Sequence, residues 1–222
     1  MVHGMDLHRS GLQPDWQHIF PIERNVWQRI AAATYGIITP ANAVSALGGG
    51  LVAFGLWSIL GGNIGIGLAA LGLGRLADIA DGYIAARTHT KSPVGEVFDS
   101  ALDKLAMIGA IIVFVAVSIV PLPVLVFIGL QHSITIGLSI IARLRGHTTH
   151  PSAFGKIATG LQWAVLLIYV GAELLRTQNV ASGSTLLQII AGVVFLASLA
   201  LGIIALSGYA AIAATPPTRH KT

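Results

Sequence analysis

Apolar residues fill six long stretches of this 222-residue chain, and most polar residues lie in the short connections between them. Each stretch contains about 20 residues, which is the length a helix needs to cross the hydrocarbon core of a bilayer. The six stretches are 39–60, 63–86, 99–119, 122–142, 157–175 and 184–210. This pattern predicts an all-α, polytopic membrane protein in which six transmembrane helices form a bundle.

The composition supports a membrane protein and excludes several kinds of chemistry. Only 10% of the residues are charged, whereas a soluble domain carries about 25%. The absence of cysteine excludes disulfides, thiolate metal sites and cysteine nucleophiles. The formal net charge of +4 is explained by cations in connections and termini, so it does not indicate a nucleic-acid partner.

The distribution of Lys and Arg predicts the orientation and the division of the chain. Cations gather before the first stretch, in the second and fourth connections and at the C-terminus, so both termini are expected to be cytoplasmic. Residues 1–38 are predicted to form a cytoplasmic segment, 39–212 the membrane domain and 213–222 a cytoplasmic tail. Within 14–36, the mixture of aromatic, basic and aliphatic residues predicts an interfacial amphipathic helix, or else a polar lead-in packed on the bundle.

Four aspartates lie where the second stretch ends and the third begins: Asp78, Asp81, Asp99 and Asp103. A carboxylate inside a membrane costs about 2.5–3.5 kcal/mol unless a partner neutralises it. Spacings of three and four residues put each pair on one helix face, and few cations lie nearby. Because Mg²⁺ and Mn²⁺ prefer carboxylate oxygens, the pattern predicts a site for one or two such ions near the cytoplasmic interface. Helix capping is the alternative, and it leaves Asp78 and Asp81 unexplained.

The stretch 78–103 resembles the sequence signature of the CDP-alcohol phosphotransferases, D-x2-D-G-x2-A-R-x8-G-x3-D-x3-D. Every spacing is kept, and seven of the eight fixed positions match. The matching residues are Asp78, Asp81, Gly82, Ala85, Gly95, Asp99 and Asp103. The motif arginine is replaced by Ala86, and Arg87 follows directly.

The resemblance implies a reaction in phospholipid biosynthesis. A phosphatidyl or related group would pass from a CDP-linked lipid, such as CDP-diacylglycerol, to an acceptor hydroxyl with release of CMP. It also implies that Asp78, Asp81 and Asp99 are metal ligands, and that Asp103 is the general base and also contacts metal. Gly82, Ala85 and Gly95 would line the CDP site, and the long side chain of Arg87 would compensate for Ala86. Family members of this kind are expected to be homodimers.

Two further elements resemble family motifs. The sequence Gly155-Lys156-Ile-Ala-Thr159-Gly-Leu-Gln162 is similar to the G-K-x-x-T-x-x-Q element of the phosphatidylglycerolphosphate synthase and cardiolipin synthase branch. It implies an acceptor site that contains Lys156 and Thr159, although Lys156 could instead be a cytoplasmic membrane anchor. The stretch 40–45 resembles a P-N-x-x-T element, so Asn42 is expected to contact the nucleotide or to cap the first helix.

Polar residues in the fourth stretch extend the predicted acceptor site. Arg143 and Arg145 would join Lys156 in a basic pocket at the membrane surface, suited to glycerol 3-phosphate or to the phosphate of phosphatidylglycerol. His132 lies on the same helix face as Arg143, and an interhelical hydrogen bond is favoured for it over a catalytic role.

Two alternatives to an active transferase stay open on the sequence. Ala86 at the arginine position is compatible with a weakened family member that binds a CDP-lipid without turnover. A divalent-cation transporter would also use membrane carboxylates, but the outer halves of the stretches are almost wholly apolar.

Overall fold

The computed structural model describes residues 39–88, 93–147 and 152–215, together with the single positions Val26 and Thr34. The described residues form six helices and contain no strand, which confirms the all-α prediction. The helices are α1 (Pro40–Leu60), α2 (Ile64–Thr88), α3 (Pro93–Val117), α4 (Leu122–Leu144), α5 (Ala153–Thr177) and α6 (Ala181–Ala214). The predicted interfacial helix and the C-terminal tail beyond Thr215 lie outside these residues.

Each predicted stretch coincides with one helix, and the main difference concerns the connection within the signature. The bounds predicted for this connection, 87–98, are wrong, because α2 continues to Thr88 and α3 begins at Pro93. Proline suits the first helical position, since its φ is already helical and its missing N–H has no helical partner there. Asp99 therefore lies inside α3, beyond its first turn.

Within the described residues, four helices are long and apolar enough to cross a membrane: α1, α4, α5 and α6. These helices indicate an integral membrane protein. The other two, α2 and α3, carry the aspartates and several cations. Whether they also span the bilayer stays a prediction.

The helices divide into two compact units. The first contains the described parts of Met1–Gly50 and Gly74–Lys104, and the second those of Leu51–Leu73 and Leu105–Thr222. All four signature aspartates belong to the first unit, whereas the predicted acceptor residues belong to the second.

The second unit contains the main apolar core, in which α5 packs along α6 and α4 also contacts α6. Phe114, Leu125 and Leu166 are fully buried there. The same unit buries two glutamines, and the amide of Gln162 donates to the Gln131 side-chain oxygen at 2.8 Å. Amide groups without partners would be costly in an apolar interior, so this bond gives each of the two side chains a partner and joins α4 to α5.

Glycines allow α1 and α2 to approach closely within the second unit. A Cβ added at Gly67 would lie 2.9 Å from the Gly55 carbonyl oxygen and would also collide with the side chain of Ile59. A Cβ at Gly55 would lie 3.0 Å from the Gly67 carbonyl oxygen. Small residues at helix crossings are typical of membrane proteins, because tight packing replaces the hydrophobic driving force there.

We expect Gly67→Ala to destabilise the protein by about 1–3 kcal/mol, since the added methyl forces α1 and α2 apart. Gly65→Ala is the matched control, because a Cβ there would only touch Leu174 at 3.7 Å. Thermal unfolding in detergent should give a lower midpoint for the Gly67 variant alone. Equal midpoints for the two variants would contradict the close contact.

Candidate active site

The N-terminus of α1 is fixed by Thr39, which immediately precedes the helix. The Thr39 hydroxyl oxygen accepts a hydrogen bond from the Asn42 backbone N–H at 3.0 Å, and Pro40 occupies the first helical position. This is a standard N-cap arrangement. The cap is therefore Thr39 and not Asn42, which lies in the first turn of α1.

One turn after Asn42, Ser45 contacts the second signature aspartate. The side chain of Asp81 is only 6% exposed, and its carboxylate accepts a hydrogen bond from the hydroxyl of Ser45, which is also buried. The Ser45 hydroxyl also lies 3.1 Å from the Ala41 carbonyl oxygen on its own helix. A buried carboxylate needs such donors, because burial deprives it of water.

A glycine brings α1 close enough for this bond to form. A Cβ added at Gly48 would lie 3.1 Å from the Gly74 carbonyl oxygen and 3.2 Å from the Ala77 Cβ. Both distances are shorter than ordinary van der Waals contact. Gly48 therefore sets the separation of α1 and α2 beside Asp81, one helical turn from Ser45.

The other two described aspartate side chains share one cation. The guanidinium of Arg75 donates to Asp78 on its own helix, with 2.5 Å between Nη2 and Oδ2, and to Asp103 on α3, with 3.0 Å between Nη1 and Oδ1. The side chains of Arg75, Asp78 and Asp103 are 18%, 31% and 29% exposed. One aspartate of each predicted pair, Asp78 and Asp103, therefore lies at the same arginine.

Arg75 is a functional candidate that the interpretation of the sequence missed. It precedes the signature and is not among the residues that the sequence predicts for the site. A signal was present, because Arg75 precedes Asp78 by three residues, the spacing at which side chains meet on a helix. Its contact with Asp103 depends on how α2 and α3 pack, which no spacing reveals.

The predicted CDP-binding residues are described to different degrees. Gly82 is exposed, and nothing lies within 4 Å of the position that a Cβ would take. Arg87 is also exposed, and its guanidinium carbon lies 4.7 Å from the centre of the Tyr83 ring, a cation–π contact. Ala85, Gly95 and Asp99 belong to α2 and α3, and their side-chain surroundings lie outside the described part of the structure.

The predicted acceptor residues lie at the ends of α4 and α5 in the second unit. Arg143 is exposed in the last turn of α4, Lys156 is exposed near the start of α5, and Thr159 follows, half-buried. Arg145 donates to the Ala213 carbonyl oxygen in the last turn of α6. A cation at a helix C-terminus is favourable, so Arg145 stabilises the end of α6.

The described side chains contain no group of three His, Cys, Asp or Glu residues close enough together to hold a metal ion. The donor chemistry nevertheless fits a divalent cation. Asp78 and Asp103 present oxygens to one shared positive charge, and Asp81 lies one turn along α2 from Asp78. Carboxylate oxygens are the ligands that Mg²⁺ and Mn²⁺ prefer.

Apolar helices that bring two carboxylates to one arginine and bury a third define a membrane protein with an acidic site. A protein-family model for the CDP-alcohol phosphatidyltransferases matches residues 38–215, which include all six helices. The chain therefore belongs to the CDP-alcohol phosphatidyltransferase family. Its members transfer a substituted phosphate group from a CDP-alcohol to an acceptor alcohol and generally depend on a divalent metal. The comparison with solved structures found no match.

We expect Ser45→Ala to lower the stability of the protein by about 1–3 kcal/mol, because the buried Asp81 carboxylate loses its donor. Ser45→Thr should retain most of the stability, since it keeps the hydroxyl. Ser58→Ala is the control on the same helix, where the hydroxyl donates only to the Phe54 carbonyl oxygen. Unfolding midpoints in detergent measure the difference, and a Ser45→Ala protein as stable as Ser58→Ala would refute the bond.

Proposed function

We propose that this protein transfers a phosphatidyl group from CDP-diacylglycerol, or a similar CDP-linked lipid, to an acceptor alcohol and releases CMP. The observation that carries the proposal is the convergence of Asp78 and Asp103 on one cation, within a chain that the family model covers from 38 to 215. Carboxylates that can hold metal ions suit the diphosphate of a CDP-lipid, because metal ions neutralise its negative charge.

The proposed roles of the aspartates follow the family resemblance. Asp78, Asp81, Asp99 and Asp103 would hold one or two Mg²⁺ or Mn²⁺ ions. Bound metal would neutralise the diphosphate and stabilise the negative charge that develops on the departing CMP. The Ser45 bond keeps Asp81 oriented, and Gly48 keeps Ser45 within reach.

Asp103 is the proposed general base. The acceptor hydroxyl oxygen forms a new bond to the phosphorus of the lipid phosphate, and the bond from that phosphorus to the bridging oxygen of CMP breaks. The hydroxyl proton passes to the Asp103 carboxylate. The partial exposure of Asp103 supports this role, since a base must be accessible to the acceptor.

The CDP-binding part of the proposal rests on Gly82, Ala85, Gly95, Asn42 and Arg87. Gly82 gives it the clearest structural support, because the open space above its Cα would admit a phosphate against the backbone. Arg87 would contribute the positive charge that Ala86 lacks.

The proposed acceptor is glycerol 3-phosphate or phosphatidylglycerol, bound by Lys156, Arg143, Arg145 and Thr159. The exposure of Lys156 and Arg143 supports the recognition of an anionic acceptor. Cytoplasmic termini and a site on the cytoplasmic side follow from the distribution of Lys and Arg. A homodimer is proposed on the family resemblance.

We expect the purified protein to release CMP from CDP-diacylglycerol only when Mg²⁺ or Mn²⁺ and a suitable acceptor are present. A panel of glycerol 3-phosphate, phosphatidylglycerol, inositol phosphate and serine identifies the acceptor. Asp81→Asn should lower the rate at least about a hundredfold, because the metal loses a charged ligand. Glu173→Gln is the control, because this acid pairs with Arg176 on α5, in the second unit.

Full activity in Asp81→Asn would contradict the proposed site. Binding of the CDP-lipid without CMP release from the unaltered protein would instead support the weakened family member. Metal-dependent cation flux in liposomes without CMP formation would favour the transporter.

Two glycines on α2 separate a ligand-binding role from a role in folding. Gly82 and Gly72 both have open space where a Cβ would lie. Gly→Ala inside a helix typically stabilises it by about 0.5–1 kcal/mol, so neither variant should unfold. We expect Gly82→Ala to raise the KM for the CDP-lipid about tenfold or more and Gly72→Ala to leave it unchanged. Equal KM values in steady-state assays would remove Gly82 from the donor site.

A further inference from the structure

Arg75 occupies the position between two carboxylates that a metal ion would also need. Its two terminal guanidinium nitrogens contact different helices, since Nη2 lies 2.5 Å from Asp78 Oδ2 and Nη1 lies 3.0 Å from Asp103 Oδ1. Asp78 and Asp103 are like charges, and bringing them together costs energy unless a cation lies nearby. In the described structure, Arg75 supplies that positive charge.

We propose that Arg75 is a resident counter-ion that a divalent metal must displace from Asp78 and Asp103, so that Arg75 sets the metal affinity of the site. This inference rests on the proposed function, which assigns the metal to these aspartates. It adds a residue outside the family signature and gives it a defined role in metal loading.

The geometry makes the guanidinium and the metal competitors. Both are positive and both require the same carboxylate oxygens, so full occupation by one excludes the other. An Arg-bound site is therefore a competing state, and the apparent dissociation constant for metal rises as the fraction of metal-competent sites falls. Charge-assisted hydrogen bonds are among the stronger ones in proteins. Competition from one such bond is enough to change the metal affinity by about tenfold.

The partner of Asp81 differs in kind, which sharpens the assignment. Ser45 is neutral and donates a single hydrogen bond, so it leaves the charge of Asp81 and its remaining lone pairs available. Arg75 neutralises charge and uses an oxygen of each aspartate that it contacts. Arg75 is therefore expected to oppose metal binding, whereas Ser45 is expected to orient a ligand.

Mn²⁺ binding to the purified full-length protein in detergent tests the proposal without reference to turnover. Electron paramagnetic resonance of free Mn²⁺ gives the dissociation constant for the unaltered protein, Arg75→Gln and Arg75→Lys. We expect Arg75→Gln to bind Mn²⁺ about tenfold more tightly. Arg75→Lys keeps the charge but loses the two-pronged contact, so its affinity should lie between the two.

Arg176→Gln is the matched control, because Arg176 also pairs with an acid three residues away, Glu173, but in the second unit. Its Mn²⁺ affinity should equal that of the unaltered protein. Removing Arg75 leaves two acids without their shared cation, so Arg75→Gln should also unfold at a lower temperature than the unaltered protein. Mn²⁺ should raise its unfolding midpoint more than that of the unaltered protein, because tighter binding gives greater stabilisation.

The outcomes separate this inference from the proposed function. If the unaltered protein binds Mn²⁺ and Arg75→Gln binds it equally well or more weakly, the role of Arg75 is overturned and the metal site is left intact. If Arg75→Gln does not fold, a Mn²⁺ affinity of Arg75→Lys that is no higher than that of the unaltered protein would overturn it equally. No Mn²⁺ binding by any of these proteins would overturn the metal site and the inference together.

Discussion

Carboxylates in an apolar helical protein must have partners, and the arrangement of the first unit follows from this requirement. Asp81 is buried and takes a hydroxyl donor from α1, which requires the close approach at Gly48. Asp78 and Asp103 are partly exposed and share a guanidinium, which ties α2 to α3. The acids required by the proposed chemistry are therefore also the groups that join three helices.

Much of the fold could be predicted because membrane helices depend on local information. An apolar stretch of sufficient length predicts a helix wherever it occurs, and each of the six stretches coincides with one. The start of α3 at Pro93 was harder to predict, because the first turns of this helix contain polar residues and hydropathy does not distinguish them from a connection. The aspartate spacing likewise predicted that the acids of each pair share a helix face, because side-chain periodicity on a helix is fixed. The family was indicated separately, by the resemblance of the stretch 78–103 to a known signature.

The partners of the aspartates on other helices could not be predicted, because they depend on how separate helices pack. Ser45 and Asp81 lie 36 residues apart, and Arg75 and Asp103 lie 28 apart. Neither contact follows from the regular spacing of side chains along a single helix. Arg145 illustrates the same limit. Its position in a basic cluster predicted an acceptor site, whereas its side chain donates to the Ala213 carbonyl oxygen in the last turn of α6. Composition indicates which charges are present, and packing decides which of them meet.

During synthesis, α2 leaves the ribosome before α3, so its charges must first be tolerated without Asp103. The helix contains two arginines and two aspartates, Arg75, Asp78, Asp81 and Arg87, and is formally neutral. The pair between Arg75 and Asp78 forms within a single helical turn and needs no other segment. The pairing of charges within α2 is therefore independent of any metal, and the arginine that is proposed to oppose metal loading also neutralises Asp78 before α3 is made.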